Sequence, residues 1–444
     1  MLSIALPIIL VSQLSNVIQI LHSRKPAVRK PQRRASLAAE RADRGRHVTM
    51  RIAIIVETFA RDMGYLNNTL PKYLTRLGHE VHVISTDLSP YHQIGAAASV
   101  FGEDFSKLNC SRAGMREELD GYTVHILAQK RVFGYPRPVG LEGVLALLRP
   151  DIVYSIAASG WIPLQCALLR RRLGYRLMIG SHMGKTVFQL PRSVFSLHRI
   201  RNLVLRKVPG WYISARAELC VVPTTDCAEV VTAQFGVPSR MVRVMNLPVD
   251  TDFFYPNPTD AKSGVRQSLR ARLGIPEDGV LCVYSGKFTT EKNPVVLAQA
   301  VELLRRRGRN VSALFVGFGD QAASIGATAG CIVIPFMPVR QLGDYYRASD
   351  IGVWMNESIS FLDAACCGLP LLLSDVVKDT SHVREFTRVF RSGSAGSLAH
   401  EIEALLDPDE RRKLSALAAR LGFERFGAAR YAARRAEQFK HALG

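Results

Sequence analysis

No C-x-x-C pair and no zinc-ligand spacing occurs among the eight cysteines, at positions 110, 166, 220, 227, 282, 331, 366 and 367. Most stand inside apolar runs, which argues against a disulfide scaffold or a cysteine-zinc centre and for small buried side chains in a reducing compartment. A continuous run of about 20 apolar residues, the length of a membrane-spanning helix, is also missing. The nearest candidate, residues 1–21, is interrupted by Ser12, Gln13, Ser15, Asn16 and Gln19. It also lacks the basic start and small-residue cleavage site of a secretory leader. Acidic residues are few: 38 against 58 Lys and Arg leave a net charge of +20. Nucleic acid, an anionic membrane face or a phosphorylated substrate could each account for that excess. Nucleic acid is disfavoured, because no RNA- or DNA-binding signature and no alternation of aromatic and basic residues for base stacking is present.

The first 49 residues form an extension distinct from the rest. Leu10, Val11, Leu14, Val17, Ile18 and Leu21 recur at helical spacing, a pattern that suits a helix lying on a membrane. Residues 24–46 carry nine Lys and Arg and only two acids, Glu40 and Asp43. Met50-Arg-Ile-Ala-Ile-Ile then begins like a first core strand, so residues 1–49 are read as disordered, misassigned or membrane-interfacial.

A length of 444 residues accommodates two domains. From residue 50 short apolar strands alternate with helical stretches. Strands are expected at 51–56, 81–85, 151–155, 176–180 and 219–222, with a helix at 66–77 stopped by Gly78. The proline-bearing stretch 246–262 reads as a linker. A second series follows, with strands at 280–284, 313–316, 331–334, 351–354 and 371–374, helices at 295–306 and 342–347, and one helical stretch over 408–443. The pattern predicts an α/β protein of two Rossmann-like, doubly wound domains facing across a cleft. Their expected bounds are 50–245 and 263–425, and a C-terminal helix, 426–444, is expected to cross back to the first domain.

The chemistry concentrates in Glu357-Ser-Ile-Ser-Phe-Leu-Asp363-Ala-Ala-Cys-Cys-Gly368-Leu-Pro370. Two acids six residues apart lead into a helix expected over 360–367, stopped by Gly368 and followed by a buried strand. Carboxylates there could hold sugar hydroxyls, and backbone N–H groups at the helix start could hold a phosphate. Gly286-Lys287-Phe-Thr-Thr-Glu291-Lys292 ends a strand with two lysines able to clamp a diphosphate. Gly317-Phe-Gly319 is a turn that would let backbone approach a nucleotide, although a third glycine is absent. His182 follows the strand at 176–180, at the edge where open sheets bind ligands, and Gly64 lies in the turn after the first strand. Asp250-Thr-Asp252, superficially a metal-binding D-x-D, sits in the linker and reads as a turn acid pair, so no metal site is expected.

In this order the motifs resemble the retaining glycosyltransferases of family 4, which have the GT-B fold. The resemblance covers residues 50–440 and rests on Gly286-Lys287…Glu291-Lys292, Asn246-Leu-Pro-Val-Asp-Thr-Asp-Phe-Phe-Tyr-Pro256, Tyr346-Arg-Ala-Ser-Asp350-Ile and Glu357…Asp363-Ala-Ala-Cys-Cys-Gly368-Leu-Pro370. It implies that Lys287 and Lys292 hold the donor diphosphate, Glu357 the donor sugar and Asp363 the ribose. Gly286, Gly317, Gly319, Ser358, Ser360 and Phe361 complete the donor side. His182 would lie beside the anomeric centre, and Gly64 in the loop between donor and acceptor. A metal-independent, retaining transfer from a nucleoside-diphosphate sugar follows, with no separate cofactor. The sequence departs from the family pattern in having Lys287 for the usual arginine, Asp363 for the usual glutamate, five rather than seven residues between the acids, and no Gly-Gly at Gly64.

Arg170, Arg171, Arg172, Arg176, Arg192, Arg199, Arg201, Arg206 and Lys207, interleaved with Leu, Val, Phe195 and Trp211, suit an anionic bilayer and a lipid-linked or glycan acceptor. The expected protein is a cytoplasmic enzyme, peripheral on the inner membrane face, that extends a cell-envelope polysaccharide or glycolipid. A nucleotide-sugar epimerase or hydrolase on the same fold is the alternative.

Overall fold

The computed structural model describes residues 49–61, 63–89, 111–185, 188, 197–256 and 264–444. The expected extension therefore lies outside the described residues except for its last position, as do Arg192 and Phe195 of the basic stretch.

Among the described residues, ten strands precede residue 245: β1 (Arg51–Ile55), β2 (Glu80–Thr86), β3 (Arg116–Leu119), β4 (Tyr122–Leu127), β5 (Gln129–Val132), β6 (Tyr135–Pro138), β7 (Ile152–Ser155), β8 (Arg176–Gly180), β9 (Leu219–Val222) and β10 (Val242–Val244). Eight of them form one sheet in the order β10-β9-β8-β7-β1-β2-β4-β3, and β5 and β6 make a separate hairpin. Every pairing in the large sheet is parallel except β3 with β4. Past Arg51 and Arg176 at their starts, the central strands are buried throughout because helices cover both faces.

The second sheet orders β11 (Val280–Lys287), β12 (Val311–Phe318), β13 (Cys331–Ile334), β14 (Ile351–Trp354), β15 (Leu371–Ser374) and β16 (Thr387–Phe390) as β13-β12-β11-β14-β15-β16, all parallel. Third-second-first-fourth-fifth-sixth is the dinucleotide-fold order, in which ligands bind beyond the strand ends where the winding reverses. Here that crevice lies between the ends of β11 and β14. In the first sheet the winding reverses between β1 and β7.

The helical C-terminal stretch divides into two helices, Pro408–Phe426 and Ala428–Leu443. Val249 of the linker enters the break. Its N–H donates to Phe426 O (2.8 Å) and its carbonyl accepts from Ala428 N–H (3.0 Å), bonds that a continuous helix would keep for itself. The last helix crosses to the first sheet as expected. Tyr431, Ala432, Ala436 and Phe439 recur every three to four residues and join the core that also holds Ile52, Leu70 and Tyr154.

Asp250 and Asp252 are more than a turn pair. They bind the helix Leu66–Arg76 across 178 residues of chain: Lys72 Nζ to Asp250 Oδ2 (2.8 Å) and to Asp252 Oδ2 (2.6 Å), Tyr73 Oη to Asp250 Oδ1 (2.9 Å), and Arg76 Nη2 to Asp252 Oδ2 (2.6 Å). Lys72 and Asp250 are 3% and 6% exposed, so this ion pair is a buried joint between the first half and the linker.

Candidate active site

The ends of β11 and β14 are knit together by their following loops. Asn356 Nδ2 donates to Glu291 O (3.2 Å), and Lys292 Nζ donates to Glu357 O (2.9 Å). Glu357 N in turn donates to Asn356 Oδ1 (2.8 Å). Lys287, Lys292 and Glu357, which the sequence singled out separately, therefore meet at one crevice. Lys292 is half-buried, and burial pushes its ammonium below the usual lysine value; Glu291 and Glu357 oppose that shift while Lys287 adds to it. An ammonium has three donors, so after the Glu357 carbonyl two more can serve a ligand.

The glycines of this rim are required by packing. Gly286 and Gly317 are cross-strand partners with φ of +146° and +148°. A Cβ on Gly317 would collide with Gly286 O, and one on Gly319 with Phe288 O. Their absent side chains thus let two strand ends close on each other, a stronger constraint than approach to a nucleotide.

The acid segment is a helix over Ser360–Cys366, one residue shorter than expected and without a side-chain N-cap. One N–H at its start is already used, since Ser360 N donates to Ser358 Oγ (3.3 Å), so the expected phosphate cradle is narrower than the sequence implied. Phe361 points into the core, 6.4 Å from the Trp354 ring and 6.3 Å from that of His382, so its side chain does not face a donor. Asp363 keeps a little accessible surface, yet protein surrounds its carboxyl. Burial, reinforced by the charge of Asp250, holds it well above the usual carboxylate range. A carboxyl raised in this way costs the folded state stability above the ordinary aspartate value, because the unfolded chain ionises more readily. Asp363→Asn is therefore expected to raise Tm at pH 8 and to change it little at pH 4, as melting curves at the two pH values would register.

Across the cleft, the loop after β8 carries His182. Asp226, at the start of the helix Thr225–Phe235, accepts from Lys185 N (2.7 Å), and a Cβ on Gly184 would collide with the same carboxylate. This ties the His182 loop to the helix start. His182 keeps an exposed surface, yet crowding by the protein pushes its pKa down to about 4, which favours the neutral imidazole at pH 7. Burial raises the Cys227 thiol, and among the smaller contributions is the charge of Glu357, so the acid from the second half faces the helix that anchors the His182 loop. Gly64, at φ +65°, also meets the second half, where an added Cβ would stand 2.9 Å from Val339 Cγ1. Beside it lies a cavity of about 100 Å³ lined by Gly64, Asn68, Thr69, Asp250 and Arg340.

Sequence reasoning missed Asp226 and the Lys72–Asp250 joint. Thr224 caps its helix by accepting from Cys227 N (3.2 Å), so the pattern Thr224-Thr-Asp226 after a strand was a usable signal for the first. No local signal existed for the second.

The basic stretch divides on inspection. Arg170 and Arg176 pair with Glu218, and Arg172 with Glu142. Ile200, Leu203, Val208 and Trp211 are exposed in one stripe beside Arg201 and Lys207. No helix among the described residues is long and apolar enough to cross a membrane.

Comparison with known proteins bears on the same segments. A family model described as Glycosyltransferase Family 4 matches residues 67–253, and one described as Glycosyl transferases group 1 matches 265–420. The chain is 28% identical over 264 residues to a D-inositol 3-phosphate glycosyltransferase of Xylanimonas cellulosilytica, covering 54% of this chain and 63% of that one. It is 25% identical over 387 residues to the protein of that name from Streptosporangium roseum, covering 78% and 80%. The alignments with the first three such relatives span 63%, 56% and 54% of their lengths. Among solved structures, a glycosyltransferase from Rickettsia africae superposes with a TM-score of 0.63 at 14% identity, over 89% of this chain and 99% of that one. Anabaena HepE, solved with UDP and glucose, superposes at 0.59 and 13% identity, over 88% and 99%. These likenesses establish the GT-B fold.

Proposed function

The chain belongs to glycosyltransferase family 4, and from that premise we propose that it moves a sugar from a nucleoside-diphosphate sugar to an acceptor with retention and without a metal. The observation that carries this reading is Lys292: a half-buried cation bound to the Glu357 backbone, at the reversal point of a doubly wound sheet. As the glycosidic bond breaks, negative charge grows on the departing diphosphate, and Lys287 and Lys292 stabilise it. Glu357 orients the donor sugar, and Asp363 the ribose. The neutral His182 accepts or donates a hydrogen bond at the sugar face, and the leaving phosphate takes the acceptor proton on the side from which it departs. Closure of the halves keeps water from the activated sugar. The test is release of nucleoside diphosphate from a donor panel with and without an acceptor glycan extract, followed by NMR of the anomeric product. Acceptor-dependent release with an unchanged anomeric configuration is expected. Equal release without acceptor would make the protein a hydrolase, and inversion would remove the retaining mechanism.

The acceptor belongs to a cell-envelope glycan or glycolipid, and the enzyme works peripherally on the cytoplasmic membrane face. The stripe Ile200, Leu203, Val208 and Trp211 with its basic flank supports this, since such faces bury their apolar edge among anionic headgroups. Pelleting with phosphatidylglycerol vesicles at low salt is expected for the wild type and reduced in Val208→Ser/Trp211→Ser. Equal pelleting by both would place the membrane contact elsewhere.

A further inference from the structure

Between the helices Leu197–Asn202 and Val208–Ser214, residues Leu203–Lys207 wind as a π-helix. The wider turn shifts the register of the side chains, and such turns cluster at functional sites. Arg206 stands half-buried in this turn. The Arg206 guanidinium carbon lies 4.6, 5.3 and 5.5 Å from the ring centroids of Phe188, Tyr135 and Phe235. Its Nε donates to Tyr135 Oη (2.8 Å), and its Nη1 is 3.7 Å from Met183 Sδ. Met183 directly follows His182 in sequence.

Three aromatic faces hold and orient a guanidinium without neutralising it. A thioether is only a weak acceptor, so most of the five donors of Arg206 are not satisfied by these contacts. Three arginines earlier in the chain are compensated, Arg170 and Arg176 by Glu218 and Arg172 by Glu142. Lys185, close in the same loop, pairs with Glu229. Among the described residues, no carboxylate lies within ion-pair reach of Arg206. Arg206 is only half-buried, so its remaining donors stay open to solvent and to an anionic ligand.

We propose that Arg206 binds an oxyanion, a phosphate or a carboxylate, carried by the acceptor, so that the acceptor is an anionic molecule whose charge lies near the hydroxyl that reacts beside His182. The planar fork suits two-point contact with either group. The inference rests on the transferase reading for the meaning of the cleft, but the anion site itself can be tested separately.

Met183 and Met355 give local probes in one methyl-labelled NMR spectrum, since Met183 touches Arg206 and Met355 adjoins the Asn356–Glu357 loop. Inorganic phosphate and acetate are titrated into the full-length protein against chloride at matched ionic strength. Met183 is expected to shift saturably with at least one of them, and the more effective one identifies the group. In Arg206→Leu the shift is expected to vanish, and in Arg206→Lys the anion should bind on the order of 10-fold more weakly, as for loss of a charge-assisted two-point contact. A Met183 signal indifferent to both anions, or equally responsive in Arg206→Leu, overturns the proposal. UDP added to the same samples reports the donor side through Met355. A response there in the variants shows that they are folded. Its absence in the wild type would count against the donor reading, while the Met183 result would still decide this one.

Discussion

Lys292→Ala is expected to lower kcat/KM for the nucleotide sugar by roughly 10²–10³-fold, the usual cost of removing one preorganised donor from a developing oxyanion. The side chain does two jobs in the structure. It joins the loop after β11 to that after β14 through the Glu357 carbonyl, and it presents its remaining donors to the crevice. Because burial lowers its pKa, the free enzyme loses this charge at a pH below the usual lysine value. A bound diphosphate favours the ammonium and draws the pKa back up. Donor affinity should therefore fall with rising pH earlier than an ordinary lysine would dictate, and Lys292→Ala should flatten that dependence. Initial rates across donor concentrations at several alkaline pH values would measure both effects. A loss of less than about 10-fold would remove Lys292 from the reaction centre.

The second large effect falls on stability. Lys72 and Asp250 are both buried, and removing one partner leaves an uncompensated charge, which costs ~3–5 kcal/mol. Lys72→Met is expected to destabilise by about that amount in urea unfolding, and Lys72→Met/Asp250→Asn to recover most of it, as replaced buried pairs commonly do. Additive losses would mean that Lys72 and Asp250 are not energetically coupled, and would contradict the account of a buried pair. The outer member behaves differently. Hydrogen bonding to Arg76 holds the Asp252 carboxyl well below the usual range, so its contribution is present at neutral pH and is lost only as acid drives the pH below the ordinary aspartate value.

Much of the fold was legible because it depends on local periodicity. The helix Val295–Arg306 and the strands at 331–334, 351–354 and 371–374 begin and end where their apolar patterns do. Strands β11 and β12 run longer than expected, since Ser285, Gly286 and Gly317 lack the apolar signature yet stay in the ladder. The hairpin of β5 and β6 escaped notice because prolines stand at 136 and 138, where Pro reads as loop. Likewise the helix breaks at Gly427 where Val249, far away in sequence, donates to Phe426 O and accepts from Ala428 N–H. The acid motif illustrates both outcomes. Gly368 and Pro370 placed Asp363 correctly on a helix, but whether Phe361 faced ligand or core depended on Trp354 and His382. The roles of the basic residues were the least readable of all, because Glu218 and Glu142, which neutralise three of them, lie outside the stretch.

The central claim is that the crevice between β11 and β14 holds a nucleoside-diphosphate sugar on Lys292. The direct measurement is a thermal-shift series of wild type and Lys292→Ala with UDP-, GDP-, ADP- and CMP-sugars. Stabilisation of the wild type by at least one donor, abolished in Lys292→Ala, is the predicted result. No stabilisation by any donor, or an equal shift in both proteins, would contradict it.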